Sequence, residues 1–187
     1  MAHFFIRRFI AADIKFYHVD ENYIRYLKQY DERVPFAFGS KKSRPFIGVL
    51  LEVNQINYFA PLTSLKNKNI IPDMFNVDFV LMKNNRSIKI AGKYLGGINL
   101  NNMIPIYDFT LLKEIKFKKI KNEAYRDAIN NEFIWCRKNQ DMIIKKAKNV
   151  YYKYINCLNQ KKTSDPLFLR CCDFKLLEEA ALLYKGK

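Results

Sequence analysis

Arg44 to Lys66 reads R-P-F-I-G-V-L-L-E-V-N-Q-I-N-Y-F-A-P-L-T-S-L-K, and the fold turns on this stretch. Phe46 to Val53 is apolar except at Gly48 and Glu52, the composition of a buried strand. Asn54-Gln55 supplies a turn, a second strand runs from about Asn57 to Leu62, and the run stops at Thr63-Ser64. Lys66, Asn67, Lys68 and Asn69 then open a polar, basic loop. A tight apolar hairpin that delivers two hydroxyls and a lysine to its rim is one way a rigid scaffold presents groups to an anionic ligand. The same residues also describe a strand followed by an ordinary solvated turn.

The flanking sequence builds outward from the hairpin. Phe16 to Val19 reads as a strand, and Asp20 is placed to cap a helix through about Tyr30, where Tyr23, Ile24, Leu27 and Tyr30 recur at helical spacing. Asp78 to Lys83 and Arg86 to Ile90 flank Asn84-Asn85, a second hairpin signal. Tyr94 to Leu100 and Ile104 to Tyr107 read as further short strands. From Glu123 the period changes: Tyr125, Ile129, Phe133 and Cys136, then Ile143, Ile144, Ala147, Val150 and Tyr151, fit amphipathic helices. Asp173 caps a last helix carrying Phe174, Leu176, Leu177, Ala180, Ala181 and Tyr184. This order predicts an α+β fold, a compact and strongly bent antiparallel sheet with helices on one side.

The 187 residues suit one well-filled core, so residues 14–187 read as a single domain. Residues 1–13, M-A-H-F-F-I-R-R-F-I-A-A-D, are too short and too interrupted by Arg7-Arg8 for a secretory signal and read as an arm outside the fold. The longest apolar runs are strand-length, short of the ~18–20 residues of a membrane span. Four cysteines without a C-x-x-C, two of them adjacent at Cys171-Cys172, give neither a disulfide framework nor a zinc site. A reducing cytoplasm is the expected compartment.

Charge is the outlier of the composition. Lys and Arg number 33 against 18 Asp and Glu, a net +15, and residues 111–162 alone hold 14 Lys and Arg against 5 Asp and Glu. A cationic surface interleaved with Tyr and Phe favours a nucleic acid, although a solvated helical face has the same composition. Lys113, Lys116, Lys118, Lys119, Arg126, Lys145, Lys146 and Lys148 are the candidate nucleic-acid contacts of this half, with Lys42 and Lys68 as general phosphate contacts near the hairpin.

The chemistry open to such a chain is restricted. His3 lies in the arm and His18 has no evident partner, so a histidine acid–base pair is not expected. Residues 45–110 hold only Glu52, Asp73, Asp78 and Asp108, too sparse for a two-metal centre, and no G-x-S-x-G elbow is present. What remains for RNA is metal-free transesterification, in which a ribose 2′-OH attacks its own phosphate. Fixed cations and hydroxyl donors stabilise the phosphorane, and a lysine or tyrosine can move the proton. Neither a metal nor a cofactor is expected.

Several segments in order resemble the ToxN/AbiQ family of endoribonuclease toxins from type III toxin–antitoxin systems. They are Lys15-Phe16-Tyr17 with Tyr23-Ile24-Arg25-Tyr26-Leu27-Lys28 and Val34-Pro35, the hairpin, Leu95-Gly96-Gly97-Ile98-Asn99-Leu100 with Met103-Ile104-Pro105-Ile106, and Cys172-Asp173-Phe174-Lys175-Leu176-Leu177-Glu178-Glu179. The resemblance covers residues 15–180. It implies a small β-barrel like that of the MazF/Kid ribonuclease toxins. It also implies cleavage to 2′,3′-cyclic phosphate and 5′-hydroxyl ends, and inhibition by antitoxin RNA pseudoknot repeats, which the toxin also processes, in a cyclic toxin–RNA assembly. Growth arrest or abortive phage infection is the implied outcome. By resemblance the site residues are Tyr23, Arg44, Thr63, Ser64 and Lys66. Lys66 and Ser64 contact the transition state, Thr63 positions, and Tyr23 packs against a base or relays a proton. Arg44 stands where the family often has lysine, and arginine cannot serve as a general base, so it is assigned phosphate binding. The rival reading is a non-catalytic RNA- or ribosome-binding basic protein.

Overall fold

The computed structural model describes residues 14–35, 44–53, 56–63, 78–83 and 94–185. Seven strands are present among them: β1 (Lys15–Val19), β2 (Phe46–Val53), β3 (Ile56–Thr63), β4 (Phe79–Lys83), β5 (Tyr94–Asn99), β6 (Ile104–Ile106) and β7 (Leu112–Glu114). Helix α1 (Glu21–Tyr30) follows β1, and α2 (Glu123–Lys138), α3 (Gln140–Asn159), α4 (Pro166–Arg170) and α5 (Phe174–Leu183) follow the sheet. The α+β class is as expected. The expected strand from Arg86 to Ile90 and the Asn54-Gln55 turn lie outside the described residues.

All strand pairs are antiparallel, in the order β4-β5-β3-β2-β1-β7, with β6 also on β3. Strand β3 makes the sheet bend. Its Asn57, Tyr58 and Phe59 pair with β6, whereas Leu62 and Thr63 pair with β5, so one strand edge serves two partners in succession. A register shift in β2 between Ile47 and Leu51 adds to the curvature. Gly48 sits in this shift because a Cβ there would come within 2.0 Å of the Phe59 ring, which lies across β2. The described strands form an open path with β4 and β7 at its ends.

Local chemistry sets the helix starts. The side chains of Asp20, Asn122, Asp165 and Asp173 each accept from a backbone N–H in the first turn of α1, α2, α4 and α5. The core is aromatic-rich: Phe16, Phe46, Tyr58, Phe59, Tyr154 and Phe174 are fully buried, each worth about 1.5–3 kcal/mol as removed surface. Phe16 meets Phe133 of α2 at 5.4 Å, and Tyr58 meets Tyr151 of α3 at 5.4 Å. Glu178 of α5 is buried in this core, accepting from Tyr58 Oη (2.6 Å), Tyr151 Oη (2.7 Å) and Lys175 Nζ (2.7 Å). At the other seam, Asp31 after α1 accepts from Arg33 Nε (2.9 Å) and from the Asp173 N–H (2.6 Å), tying α1 to the start of α5.

Candidate active site

Two backbone facts assemble the site. The Leu62 N–H donates to the Pro45 carbonyl at 2.8 Å, which continues the β2–β3 ladder past its last strand pair, Phe46 with Pro61. Arg44 is therefore level with Thr63, and Thr63 in turn pairs with Gly97 of β5. A row Arg44–Thr63–Gly97 crosses the sheet at the point where β3 ends and runs on to Leu81 of β4. Side chains level with one another across antiparallel strands share a face, so the guanidinium and the hydroxyl leave the sheet on the same side. Arg44 is half-buried, and burial pulls its pKa down, yet a guanidinium stays charged. Incomplete hydration of a fixed charge strengthens its pull on an anion.

The β5 side of the row has no spare volume. A Cβ on Gly97 would lie 2.0 Å from the Phe79 ring, and one on Gly96 would lie 2.5 Å from Glu132 Oε1 and 3.0 Å from the Thr63 carbonyl oxygen. Thr63 is thus held by a strand that approaches as closely as a backbone can. Ser64 and Lys66, expected beside it, and Lys42 and Lys68 lie outside the described residues.

Tyr23 is elsewhere in character. It is 1% exposed, its ring packs edge-on against Tyr184 at 4.9 Å, and its Oη donates to the Pro105 carbonyl at 2.6 Å. Burial raises its pKa far above the ordinary tyrosine value. This is the placement of a core tyrosine with its hydroxyl committed; packing on a base or relaying a proton would require the α1–α5 seam to open. The helical stripe Tyr23, Ile24, Leu27 already put it on the inward face of α1.

His18 is the residue that sequence reasoning passed over. It is half-buried on β1, level with Pro45 and across from Lys113 of β7. Only long-range register brings it there, so no local signal pointed to it.

The basic half divides by environment. Lys113, Lys118 and Lys119 are exposed, whereas Lys116 pairs with Glu114 (2.8 Å) and Arg126 leans on Glu123 (3.5 Å) and Asp127 (3.6 Å). On α3, Lys145 and Lys148 are exposed on one face with Tyr152 and Lys153, two residues the sequence reading did not single out. Lys146 is different: it is half-buried, and its Nζ donates to the Phe79 carbonyl at 2.7 Å, so its charge is spent inside the fold. Burial lowers its pKa against the pull of Asp78. Among the described residues no group of three His, Cys, Asp or Glu is placed to hold a metal ion, and no helix is long and apolar enough to cross a membrane. An open hollow at the α2–α3 turn, lined by residues such as Arg137 and Gln140, sits beside Ile14 at the far end of β1 from the row.

A profile of the family described as toxin ToxN, type III toxin–antitoxin system, matches residues 15–182. The chain belongs to the ToxN toxin family. The endoribonuclease ToxN of Bacillus thuringiensis subsp. kurstaki is 32% identical over 178 residues, covering 92% of this chain and 85% of that protein. The endoribonuclease AbiQ of Lactococcus lactis subsp. lactis is 30% identical over 195 residues, covering 100% of this chain and 98% of AbiQ. Among solved structures, a chain from work on selective toxin inhibition by a non-coding RNA pseudoknot superposes with a TM-score of 0.75 at 31% identity, covering 94% of this chain and 99% of its own length. The structure of AbiQ, described as a lactococcal anti-phage endoribonuclease of the type III systems, superposes at 0.76 with 25% identity, covering 93% and 99%. The span of the ToxN match agrees with the segments that carry the resemblance in the sequence. It leaves residues 1–13 outside, although the AbiQ alignment takes in the whole chain.

Proposed function

We propose that this ToxN-family toxin cleaves RNA by metal-independent transesterification at the Arg44–Thr63 row of the sheet, and that a structured antitoxin RNA holds it in check. As a member of the family, the chain is an endoribonuclease toxin of the type III kind. The observation that carries the site assignment is the register that sets a half-buried guanidinium level with the Thr63 hydroxyl where β3 ends. Ser64 follows directly in sequence and Lys66 two residues later, so the row can be completed by a second hydroxyl and an ammonium. In this reading Arg44 binds the scissile phosphate, Thr63 positions it, and Ser64 and Lys66 meet the charge that grows on the phosphorane. The ribose 2′-oxygen bonds to phosphorus and gives up its proton, the P–O5′ bond breaks, and the 5′-oxygen takes a proton. The products are a 2′,3′-cyclic phosphate and a 5′-hydroxyl. Tyr23 braces α1 against β6 from within the core.

For the antitoxin we assign the exposed cations, Lys113, Lys118 and Lys119 on one side and Lys145, Lys148 and Lys153 on α3 on the other, with Tyr152 available for a base. A cyclic arrangement alternating toxin and RNA pseudoknot, processing of that RNA by the toxin, a cytoplasmic location and an antiviral role complete the proposal. We also infer that the bent sheet belongs to the MazF/Kid-like barrel type, which the change of partner along β3 supports.

The test uses the purified chain on RNA containing a cut site. Cleavage should survive excess EDTA and stop when the ribose 5′ to the cut is replaced by deoxyribose. Lys66→Ala and Ser64→Ala should each lose a factor of ~10²–10³ in rate, as for a transition-state donor, while still binding antitoxin RNA. EDTA-sensitive cleavage or 5′-phosphate products would overturn the mechanism, and no cleavage at all would favour a non-catalytic RNA-binding role.

A further inference from the structure

Two aromatic side chains stand on the face of the sheet that carries the row. Phe59, Pro61 and Thr63 leave β3 on one face by alternation, and the register puts Phe46 level with Pro61 and Tyr17 level with Phe46. Tyr17 is therefore on the face of Arg44, at the separation of a diagonal cross-strand pair, about 7–8 Å. The Phe59 ring bears this out: it meets Tyr17 edge-on at 5.5 Å, and Phe109, from the link between β6 and β7, at 6.3 Å. Phe59 is wholly buried beneath the two, whereas Phe109 is 50% exposed and Tyr17 is half-buried.

Positive charge continues along the same face. Lys15 lies two residues from Tyr17 and so leaves β1 on the same side, level with Gly48. Lys15 and Lys116 both pair with Glu114, at 3.4 and 2.8 Å, so two cations share one carboxylate and a positive charge is left over. A single exposed phenylalanine needs no explanation. Two rings seated on a buried third, beside a fixed guanidinium and a pair of lysines, have the make-up of a single-strand track, in which phosphates meet cations and bases stack on aromatic faces.

We propose that Tyr17 and Phe109 form the base-stacking platform of this nuclease, taking an unpaired RNA base next to the phosphate held by Arg44. This rests on the phosphate-binding role of Arg44 given above. The buried Phe59 gives the platform a fixed floor, so a base that stacks there orients its own phosphate at little cost in ordering the protein. The strand must be unpaired at this point, because a base inside a duplex keeps its faces for its neighbours. Rings that merely cover Phe59 would show no dependence on any one base of the RNA.

The experiment measures kcat/KM and melting temperature for the full-length wild type, Tyr17→Phe, Tyr17→Leu, Phe109→Leu and Arg44→Ala. Each is given a cut-site RNA and four versions of it, in which one of the two nucleotides on either side of the cut is replaced by an abasic ribose that keeps the 2′-OH. Wild type should cut one of the abasic RNAs about tenfold more slowly than the intact RNA, the size expected for one base–aromatic stack. Tyr17→Leu and Phe109→Leu should cut the intact RNA more slowly and lose little more on that abasic RNA, because base and ring act as a pair. Tyr17→Phe keeps the ring and should follow the wild type. A base-removal loss of the same factor in wild type and both leucine variants overturns the proposal, as does wild-type cleavage of every abasic RNA at the intact rate. If Tyr17→Leu does not fold, Phe109→Leu, at a half-exposed position, is read in the same way. An Arg44→Ala protein that cleaves normally removes the phosphate reading and this inference together. A slow Arg44→Ala with no coupling between base and ring leaves the phosphate reading standing and removes the platform alone.

Discussion

Tyr23→Phe separates a core tyrosine from a catalytic one. The change removes a single oxygen, and with it the 2.6 Å hydrogen bond to the Pro105 carbonyl, while the ring keeps its place against Tyr184. A buried hydrogen bond is worth about 0.5–1.5 kcal/mol net, and a carbonyl left short of a partner adds to the loss, so about 1–2 kcal/mol should disappear. For a chain of this size each kcal/mol moves the melting temperature by about 2–4 °C, so a fall of about 2–8 °C is expected. Cleavage by the folded variant should stay within about threefold of the wild type, because burial keeps the phenol protonated and the hydroxyl has no route to RNA. The assay is a melting curve together with single-turnover cleavage well below the melting temperature. A loss of about 100-fold in rate, some 2.7 kcal/mol of barrier, with an unchanged melting temperature would refute the reasoning and return Tyr23 to proton transfer.

Four further outcomes are expected. Glu178→Ala should cost about 3–5 kcal/mol, seen in denaturant unfolding, since two buried tyrosine hydroxyls and the Lys175 ammonium lose their common acceptor. Lys145→Glu with Lys148→Glu should weaken antitoxin RNA and flatten the log–log salt dependence by roughly 0.7–0.9 for each phosphate no longer neutralised, whereas Lys146→Met should change stability more than RNA affinity. Burial works against ionisation of Asp31, but the Arg33 guanidinium and the Asp173 N–H outweigh it and hold its pKa below the ordinary carboxylate value. Its stabilisation is therefore complete above the unfolded pKa of about 3.9 and is lost as pH falls through the lower folded value, a limb that acid titration of Asp31→Asn should lack. Finally, a chain beginning at Asp13 should keep fold and cleavage, while one beginning at Ile14 should melt lower, because a charged amine would replace the Ile14 N–H that donates to Gln140 in a buried setting.

Local signals carried the elements that local chemistry decides. Asp20 and Asp173 cap the helices the sequence assigned to them, and the apolar run from Phe46 leads into a hairpin that ends at Thr63, one residue beyond the expected strand. Strand β7 was not legible because Leu112–Glu114 is three residues long with Lys113 at its centre, too short to show alternation. Helix α4 is only five residues, although Asp165-Pro166 is a recognisable start. Lys146 was read with its neighbours as a surface cation. Its place between Ile143 and Val150 on the helix, three residues from one buried side chain and four from the other, was the clue to its inward lean. The Arg44–Thr63 row and His18 depend on strand register, which no single segment encodes.

Gly96 and Gly97 have a consequence for how this toxin can change over time. Neither need touch RNA, yet the space that even an alanine methyl would take is already occupied by the Phe79 ring, the Glu132 carboxylate and the Thr63 carbonyl. In a saturation scan read out by toxicity, Gly97 should look as intolerant as the row itself, and Gly96 less so, because the end of the Glu132 side chain can swing aside. Escape from Gly97 should require a second change, at Phe79, to make room. Drift at Gly97 is thus coupled to β4, and a lineage that loses this glycine should carry its compensation there.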